Sequence, residues 1–366
     1  MLSDLADLLP GIAERESLNP EAYPERSVQL LYEAGIPISP LARPLGGESA
    51  SCRQSTMAIE AIASVSPSLA LITAMPHGLA GCMSLEGDGG GSEWRLSWRR
   101  EIERIAADYR AGKVYAACNS EKGAGGSLAA TKTIAIRDSH GTFALSGEKI
   151  LASSGRYAST FFSTAKVSPD ELPGAGIVEF FFVESDAFGV QIMDDWNGFG
   201  MRSSESQSVR FAGAPVTAMM GFPNYIEAVQ PTQYWYCLFA AIPLGCAWSI
   251  LKALGSPAPT SPVLRLRLSE ALMKYESLRA YLLETADAFR ANAGPAYAAR
   301  VLRTKTYVTQ EATKLCAELF ALSGGRHYSR SSPVARALAD AFAGTALRPP
   351  LALGLDTLVE QFSLDG

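Results

Sequence analysis

The stretch CNSEKGAGGSLAATKT, residues 118–133, is rich in glycine and follows an apolar run, residues 114–117, with the character of a short strand. A nucleotide P-loop needs Gly-x-x-x-x-Gly-Lys-Ser/Thr at the start of a helix, but here Lys122 precedes the glycines. A dinucleotide fingerprint needs Gly-x-Gly-x-x-Gly between a strand and a helix, whereas residues 131–136 alternate like a strand. Both nucleotide motifs are excluded, which leaves a glycine-rich turn between two strands.

The composition around this turn is that of a globular protein. The chain has 366 residues, of which 48% are apolar and 19% charged, so it can bury a large core. Its formal net charge of -5 argues against nucleic acid and anionic membranes as partners, because both are bound by clustered Lys and Arg. Small molecules are the expected partners.

The cysteines and histidines show no metal or disulfide pattern. Six cysteines are scattered without a Cys-x-x-Cys pair, and no charged-then-apolar leader opens the sequence, so we expect a reduced, cytoplasmic protein. The three histidines, His77, His140 and His327, lack the spacing of a zinc site. We therefore expect no metal.

One segment has the composition of a membrane span. Residues 234–251, YWYCLFAAIPLGCAWSIL, carry no charge over 18 residues. Pro243 and Gly245 interrupt the segment, and amphipathic helices follow it. A central helix of a soluble bundle is the better interpretation.

Hydrophobic periodicity divides the chain into three blocks. Residues 1–112 show helical spacing, residues 113–218 show the alternation of β-strands, and residues 219–366 return to helical stripes. We predict an N-terminal helical domain, a middle antiparallel β domain and a C-terminal helical bundle with these boundaries.

Four segments in this order resemble motifs of the acyl-CoA dehydrogenase superfamily. Residues 120–126, SEKGAGG, are similar to its Thr-Glu-Pro-Gly-Ala-Gly-Ser loop, and residues 146–155, SGEKILASSG, to its Asn-Gly-x-Lys-x-Trp-Ile-Thr-Asn-Gly strand. Residues 194–211 resemble its Gly-x-Arg-x-Ser/Thr segment, and residues 323–341 its Gly-Gly-x-Gly-Tyr and Pro-x-x-Arg segment. The resemblance implies a mainly α fold with a central β domain: N-terminal helices, a β-barrel-like middle domain and a C-terminal four-helix bundle.

The resemblance also implies a flavin site, with FAD or FMN as the cofactor. Small residues let the loop backbone approach a ligand closely, and backbone N–H groups and hydroxyls donate to ring or phosphate oxygens. The positions that match flavin-side residues of the family are Ser120, Gly125, Gly126, Ser127, Leu151, Ser153, Ser154, Trp196, Gly324 and Gly325.

The chain departs from the family at the catalytic base. A dehydrogenase of this family removes an α proton with a glutamate. The family has two alternative positions for that glutamate. A gap-free count forward from Pro333 places Arg348 at the first, and Trp235, five residues before the Ala-Ala that precedes the Pro-Leu-Gly turn, stands at the second. A guanidinium stays protonated and cannot act as the base, but it can hold an anionic intermediate or a substrate carboxylate.

A second departure concerns the cofactor. The family's Arg-x-x-Phe-Gly segment, which reaches the flavin diphosphate of a neighbouring subunit, is replaced by a shorter, uncharged stretch, residues 255–262. FMN or loosely held reduced flavin therefore becomes an alternative to FAD.

The flavin monooxygenase branch of the superfamily, similar to dibenzothiophene monooxygenase, matches several of these residues better. His77, Asn119, Ser153 and Trp196 are similar to residues that surround the flavin in that branch. Oxygen chemistry on a flavin needs hydrogen-bond donors in a dry pocket. The resemblance makes His77, Asn119, Ser153 and Arg348 the catalytic candidates.

We therefore expect a flavin-dependent oxidoreductase, of monooxygenase type, that takes reduced flavin from a separate reductase and acts on a small molecule or an acyl thioester. Two alternatives stay open: a divergent FAD-dependent acyl-CoA dehydrogenase, with Glu227 as a candidate base, and a non-catalytic scaffold subunit. The family resemblance implies a homodimer or homotetramer.

Overall fold

The computed structural model describes residues 1–85, 92–138, 141–290 and 293–362. His140 therefore lies outside the described residues.

Among the described residues, five helices form the N-terminal part of the chain. They are α1 (Leu2–Leu18), α2 (Glu25–Glu33), α3 (Cys52–Ala63), α4 (Pro67–Met83) and α5 (Ser92–Arg110). The Ser51 and Gln54 side chains form a capping box that begins α3. The Ser66 hydroxyl caps α4, where Pro67 is the first helical residue. Nearly every residue of α4 is buried, so this helix shows no amphipathic stripe.

The described residues in the middle of the chain form eight strands. They are β1 (Tyr115–Ala117), β2 (Ile134–Arg137), β3 (Phe143–Ala152), β4 (Thr160–Val167), β5 (Glu179–Glu184), β6 (Val190–Ile192), β7 (Gln207–Pro215) and β8 (Ala218–Met219). The strand order is β6-β7-β3-β2-β4-β5-β8, and β1 pairs with β4.

The sheet is mixed, so the expectation of an antiparallel β domain is wrong for two of its pairings. Strands β1 and β4 are parallel, and so are β2 and β4. Strand β3 returns antiparallel to β2, and β4 then runs in the direction of β2 and pairs with its other edge. Alternation of apolar residues indicates which face of a strand is buried, but it does not reveal which strands pair.

Seven helices follow the sheet in the part of the chain that the structure describes. They are α6 (Tyr225–Val229), α7 (Thr232–Gly255), α8 (Pro262–Asp287), α9 (Gly294–Leu322), α10 (Pro333–Ala341), α11 (Ala343–Ala346) and α12 (Leu351–Glu360). Helix α7 contains the apolar segment that imitates a membrane span, and it is the helix among the described residues that is long and apolar enough to be one. It packs against α3, α4, α8, α9 and α10, and 78% of its most apolar window is buried inside the protein. It is the central core helix, as predicted.

Candidate active site

A cavity of about 320 Å³ lies between the sheet and the helices, at the lower end of the volume range of small-molecule sites. Its walls come from the glycine-rich loop, the end of β3, the connection from β6 to β7, helices α4 and α7, and the chain from α10 to residue 348. Most of the lining side chains are apolar or aromatic, and they include Phe162, Phe180, Trp196, Trp235, Tyr236 and Phe239.

An irregularity in β3 shapes the wall on the side of the sheet. The pairing of β3 with β7 shifts register between Lys149 and Ala152, and Leu151 has a left-handed backbone conformation with φ 61°. Such bulges change the direction of side chains and are common beside active sites. The bulge places Leu151 and Ser153 in the cavity wall.

Three serine hydroxyls form a hydrogen-bonded chain that begins in this wall. The Oγ atoms of Ser153 and Ser206 lie 3.1 Å apart, and those of Ser206 and Ser204 lie 2.7 Å apart. Ser153 and Ser206 line the cavity and can both donate and accept hydrogen bonds. Sequence comparison did not single out Ser206, although it lies in the segment of residues 194–211 that resembles a family motif.

The glycine-rich loop is anchored by a buried ion pair. Glu121 Oε1 lies 2.7 Å from Lys149 Nζ, and the two side chains are 4% and 0% exposed. The Glu121 carboxylate also accepts hydrogen bonds from the backbone N–H groups of Lys132 and Thr133. Burial acts to raise the pKa of Glu121, but the hydrogen bonds and the ammonium lower it to about 2. The pair fixes the loop that carries Asn119 and Ser120 to the strand that leads to Ser153.

Asn119 and Ser120 line the cavity next to this anchor. The Asn119 Oδ1 atom accepts a hydrogen bond of 3.0 Å from the Thr164 N–H on β4, and the Ser120 carbonyl accepts one of 2.8 Å from the Ile150 N–H. The Asn119 side chain therefore both lines the cavity and holds the loop to β4.

Arg348 lies in the cavity wall on a turn between α11 and α12. The buried Lys305 holds this turn, because its Nζ donates to the carbonyl oxygens of Gly344, Leu347 and Pro349 at 3.1, 2.7 and 2.6 Å. Burial lowers the pKa of Lys305 to about 7. Nothing in the sequence around Lys305 marked it, since the contact joins α9 to a turn some 40 residues later.

Trp235 is fixed in the opposite wall. Its indole N–H donates a hydrogen bond of 3.0 Å to the Ala74 carbonyl, and its ring stacks on Phe162 with centroids 5.9 Å apart. Trp235 and Arg348, the residues predicted to stand at the two positions of the family's glutamate, therefore both line this cavity. No carboxylate belongs to the described residues that line it.

Trp196 also lines the cavity, and its indole N–H donates to the Arg202 carbonyl at 3.0 Å. Six predicted site residues therefore line one cavity: Asn119, Ser120, Leu151, Ser153, Trp196 and Arg348. The spacing of these residues in the sequence is wide, but the loop, the β3 bulge and the final turn meet at one place.

The structure places the other predicted residues outside the cavity lining. His77 is fully buried in α4, where its Nδ1 lies 2.9 Å from the Ile36 carbonyl oxygen, and burial lowers its pKa to about 4. It is therefore neutral at pH 7. Ser154 accepts a hydrogen bond from the Tyr23 hydroxyl at 3.0 Å, and Glu227 accepts one from the Ile177 N–H at 2.8 Å.

The predicted glycines and Ser127 lie at the edge of the site or beyond it. Gly126 faces Pro350, because a Cβ atom at Gly126 would lie 2.4 Å from the Pro350 Cδ. Gly125 and Ser127 belong to the same loop, while Gly324 and Gly325 are exposed after α9. Roles for these residues at a flavin stay predictions, as does a role for His77.

The sequence matches two family models over more than half of its length. The acyl-CoA dehydrogenase middle domain matches residues 116–214, and the acyl-CoA dehydrogenase C-terminal domain matches residues 244–347. The chain belongs to the acyl-CoA dehydrogenase superfamily. The predicted family and fold class are confirmed, and the superfamily is one of flavin-dependent oxidoreductases.

The chain is similar to an acyl-CoA dehydrogenase and to proteins whose structures contain FMN. The probable short/branched chain specific acyl-CoA dehydrogenase of Dictyostelium discoideum is 24% identical over 332 residues, which are 86% of this chain and 77% of that protein. The structure of KijD3 in complex with FMN and a dTDP-amino-keto sugar has a TM-score of 0.82 at 22% identity, over 98% of this chain and 92% of that one.

The structure of TdsC from Paenibacillus sp. A11-2 with FMN and indole has a TM-score of 0.81 at 19% identity, over 98% of this chain and 96% of that one. At these identities the structural likeness shows the fold.

The cavity residues fit a flavin ring. One wall presents the hydroxyls of Ser153 and Ser206 beside the strained backbone of Leu151, and the facing walls are apolar and aromatic. Flat ring systems with polar edges are bound by this combination. Among the described residues, no group of three His, Cys, Asp or Glu side chains comes together as a metal site.

Proposed function

We propose that this protein is a flavin-dependent monooxygenase of the acyl-CoA dehydrogenase superfamily that acts on a small molecule with reduced flavin and oxygen. The observation that carries the proposal is the absence of a carboxylate among the described residues that line the cavity. Abstraction of a weakly acidic α proton needs a positioned base. Trp235 and Arg348, which stand at the two family positions of that base, have no such capacity.

The residues that would hold the flavin are those on the side of the sheet: Ser120, Leu151, Ser153 and Trp196. When bound, the flavin supplies the electrons that activate oxygen. The Ser153 and Ser206 hydroxyls would donate hydrogen bonds at the cavity wall, where an apolar environment strengthens them. The aromatic rings of Phe162, Phe180 and Trp235 line the same cavity and would limit the access of water to a bound flavin.

The connection between α7 and α8 supports FMN, or reduced flavin from a separate reductase, over FAD. Residues 256–261 contain no arginine or lysine, so this connection offers no cation to a diphosphate of a neighbouring subunit. FMN lacks the adenosine half of FAD and does not need that contact.

Assembly as a homodimer or homotetramer is supported by apolar side chains on the surface of α8. Val263, Leu266 and Met273 are 68%, 58% and 60% exposed, and large apolar side chains in such a row are typical of a covered face. All six cysteines are buried and unpaired, which supports a reducing compartment, and we propose the cytoplasm.

Titration calorimetry with FAD and FMN, each oxidised and reduced, tests the proposal. We expect FMN to bind at least as tightly as FAD, and Ser153→Ala to weaken the binding. If neither flavin binds at about 100 μM in either redox state, the affinity is below roughly 5 to 6 kcal/mol. That result would favour the scaffold alternative and remove the enzymatic one.

A further inference from the structure

Arg348 is the single charged side chain among the described residues that line the cavity. The other polar groups on its walls are neutral: the Asn119 amide and the hydroxyls of residues such as Ser153, Thr232 and Tyr236. Arg348 is half-buried, and a positive charge partly withdrawn from water into apolar surroundings loses free energy of hydration, which an anion beside it would offset.

Among the described residues, no carboxylate lies close enough to Arg348 to pair with this charge. The Arg348 guanidinium makes no ion pair within 4.0 Å with a carboxylate of the described residues, and its one hydrogen bond there, from Nη2 to the Asn119 carbonyl, is long at 3.4 Å. Burial lowers the pKa of Arg348, yet arginine stays protonated at neutral pH. The charge of Glu121 acts to raise the pKa of Arg348, but the Glu121 carboxylate is already paired with Lys149 at 2.7 Å.

The position of Arg348 is built into the fold. Lys305 binds three carbonyl oxygens of residues 344–349, and Pro350 packs so closely on Gly126 that a side chain at Gly126 would collide with it. Two elements far apart in the sequence therefore hold the turn. A fixed guanidinium with most of its five N–H donors free is suited to a planar, bidentate acceptor.

We infer that Arg348 binds the carboxylate of the substrate, and that the substrate is a small apolar or aromatic carboxylic acid. One positive charge balances a carboxylate, whereas a phosphate monoester would leave a negative charge in apolar surroundings. The aromatic walls formed by Trp235, Tyr236 and Phe239 suit the apolar body of such an acid. This assignment rests on the proposed function, because it names the substrate class of the same cavity.

Matched probes test the assignment. Calorimetry compares benzoate with benzamide and hexanoate with hexanamide on the wild-type protein, with and without FMN. We expect the acids to bind at least about 30-fold more tightly than the amides, since a buried charge pair is lost in the amides. Phenyl phosphate should bind more weakly than benzoate.

Three variants locate the preference. Arg348→Gln should bring acid and amide within about threefold of each other, while Arg348→Lys should keep part of the preference as a point charge. Arg267→Gln removes the same charge from the exposed surface of α8 and should change nothing.

Equal affinities for acid and amide in the wild type, no binding of any acid at about 10 mM, or a preference that survives in Arg348→Gln would each overturn the inference. Tighter binding of phenyl phosphate would also contradict it. If the protein binds flavin but does not prefer acids, the inference about Arg348 is contradicted and the proposed function is not. If it prefers acids but binds no flavin, the proposed function is contradicted and the role of Arg348 is not.

Discussion

Glu121 and Lys149 form a fully buried ion pair, with Oε1 and Nζ 2.7 Å apart, that joins the glycine-rich loop to strand β3. Both residues belong to the segments that resemble family motifs. Neither residue lines the cavity. Asn119 and Ser120, which precede Glu121 in the loop, do line it, and so does Ser153, which follows Lys149. The two motif residues therefore hold the elements that form the cavity wall without lining the cavity themselves.

Glu121→Gln should lower the free energy of unfolding by about 3–5 kcal/mol, because it leaves the Lys149 ammonium buried without its partner. Urea denaturation measures the change. Glu148→Gln is the matched control, since Glu148 is an exposed neighbour on the same strand and pairs with Arg210 at the surface; its cost should stay within about 0.5 kcal/mol. Equal costs for the two variants would contradict the role of the pair.

The same pair predicts a pH dependence. The pKa of Glu121 is about 2 in the folded protein, against an ordinary 4.5. The ionised carboxylate thus contributes stability above pH 4.5, and this contribution is lost as the pH falls towards 2. The difference in unfolding free energy between the wild type and Glu121→Gln should therefore shrink between about pH 5 and pH 3. A constant difference across this range would show that the charge of Glu121 does not stabilise the fold.

Ser153→Ala should reduce turnover by on the order of 10²-fold on an identified substrate, the usual effect of losing one donor at a reacting centre. Its thermal stability should change little. Ser204→Ala provides the control, because Ser204 belongs to the same hydroxyl chain but does not line the cavity. Equal turnover in both variants would remove Ser153 from the catalytic machinery.

Asn119 is less suited to such a test. Its Oδ1 atom accepts the Thr164 N–H, so Asn119→Ala leaves a backbone donor without its partner, and turnover and stability are expected to fall together. Loss of activity in that variant alone would not identify a catalytic role.

Lys305→Met should destabilise the protein by about 1–3 kcal/mol, because three carbonyl oxygens lose their donor. It should also weaken the preference for acids over amides, although Arg348 is unchanged. Lys314→Met, which removes an exposed lysine from the same helix, is the control for charge and helix propensity. A destabilised Lys305→Met protein with the full acid preference would show that Lys305 does not position Arg348.

The order of the three blocks could be predicted from the sequence, because helices and strands differ in the period of their apolar residues. Residues 1–112 could be predicted to be helical, but the position of α4 among them could not, since this helix is buried on all sides and has no amphipathic period. The parallel pairings of β4 with β1 and β2 also escaped, because pairing depends on how distant segments meet.

The site was predictable where it coincides with family motifs, as at Ser120 and Ser153. Ser206 and Lys305 could not be predicted, because their contacts join segments that are far apart in the sequence. Ser206 contacts Ser153, and Lys305 binds the turn that carries Arg348. His77 shows the converse. The family resemblance made it a catalytic candidate, but its Nδ1 lies 2.9 Å from the Ile36 carbonyl oxygen, and His77 is not among the residues that line the cavity.

The central claim is that this cavity lacks the base of a dehydrogenase, and anaerobic stopped-flow mixing of the flavin-loaded protein with butyryl-, octanoyl- and branched-chain acyl-CoA thioesters tests it most directly. We predict that the flavin stays oxidised with all of them, since neither Trp235 nor Arg348 can accept an α proton. Arg348→Glu, which restores a carboxylate at the family position, should show at most a trace of bleaching. Rapid bleaching of the wild-type flavin by any of these thioesters would contradict the monooxygenase assignment and establish a working base in this protein.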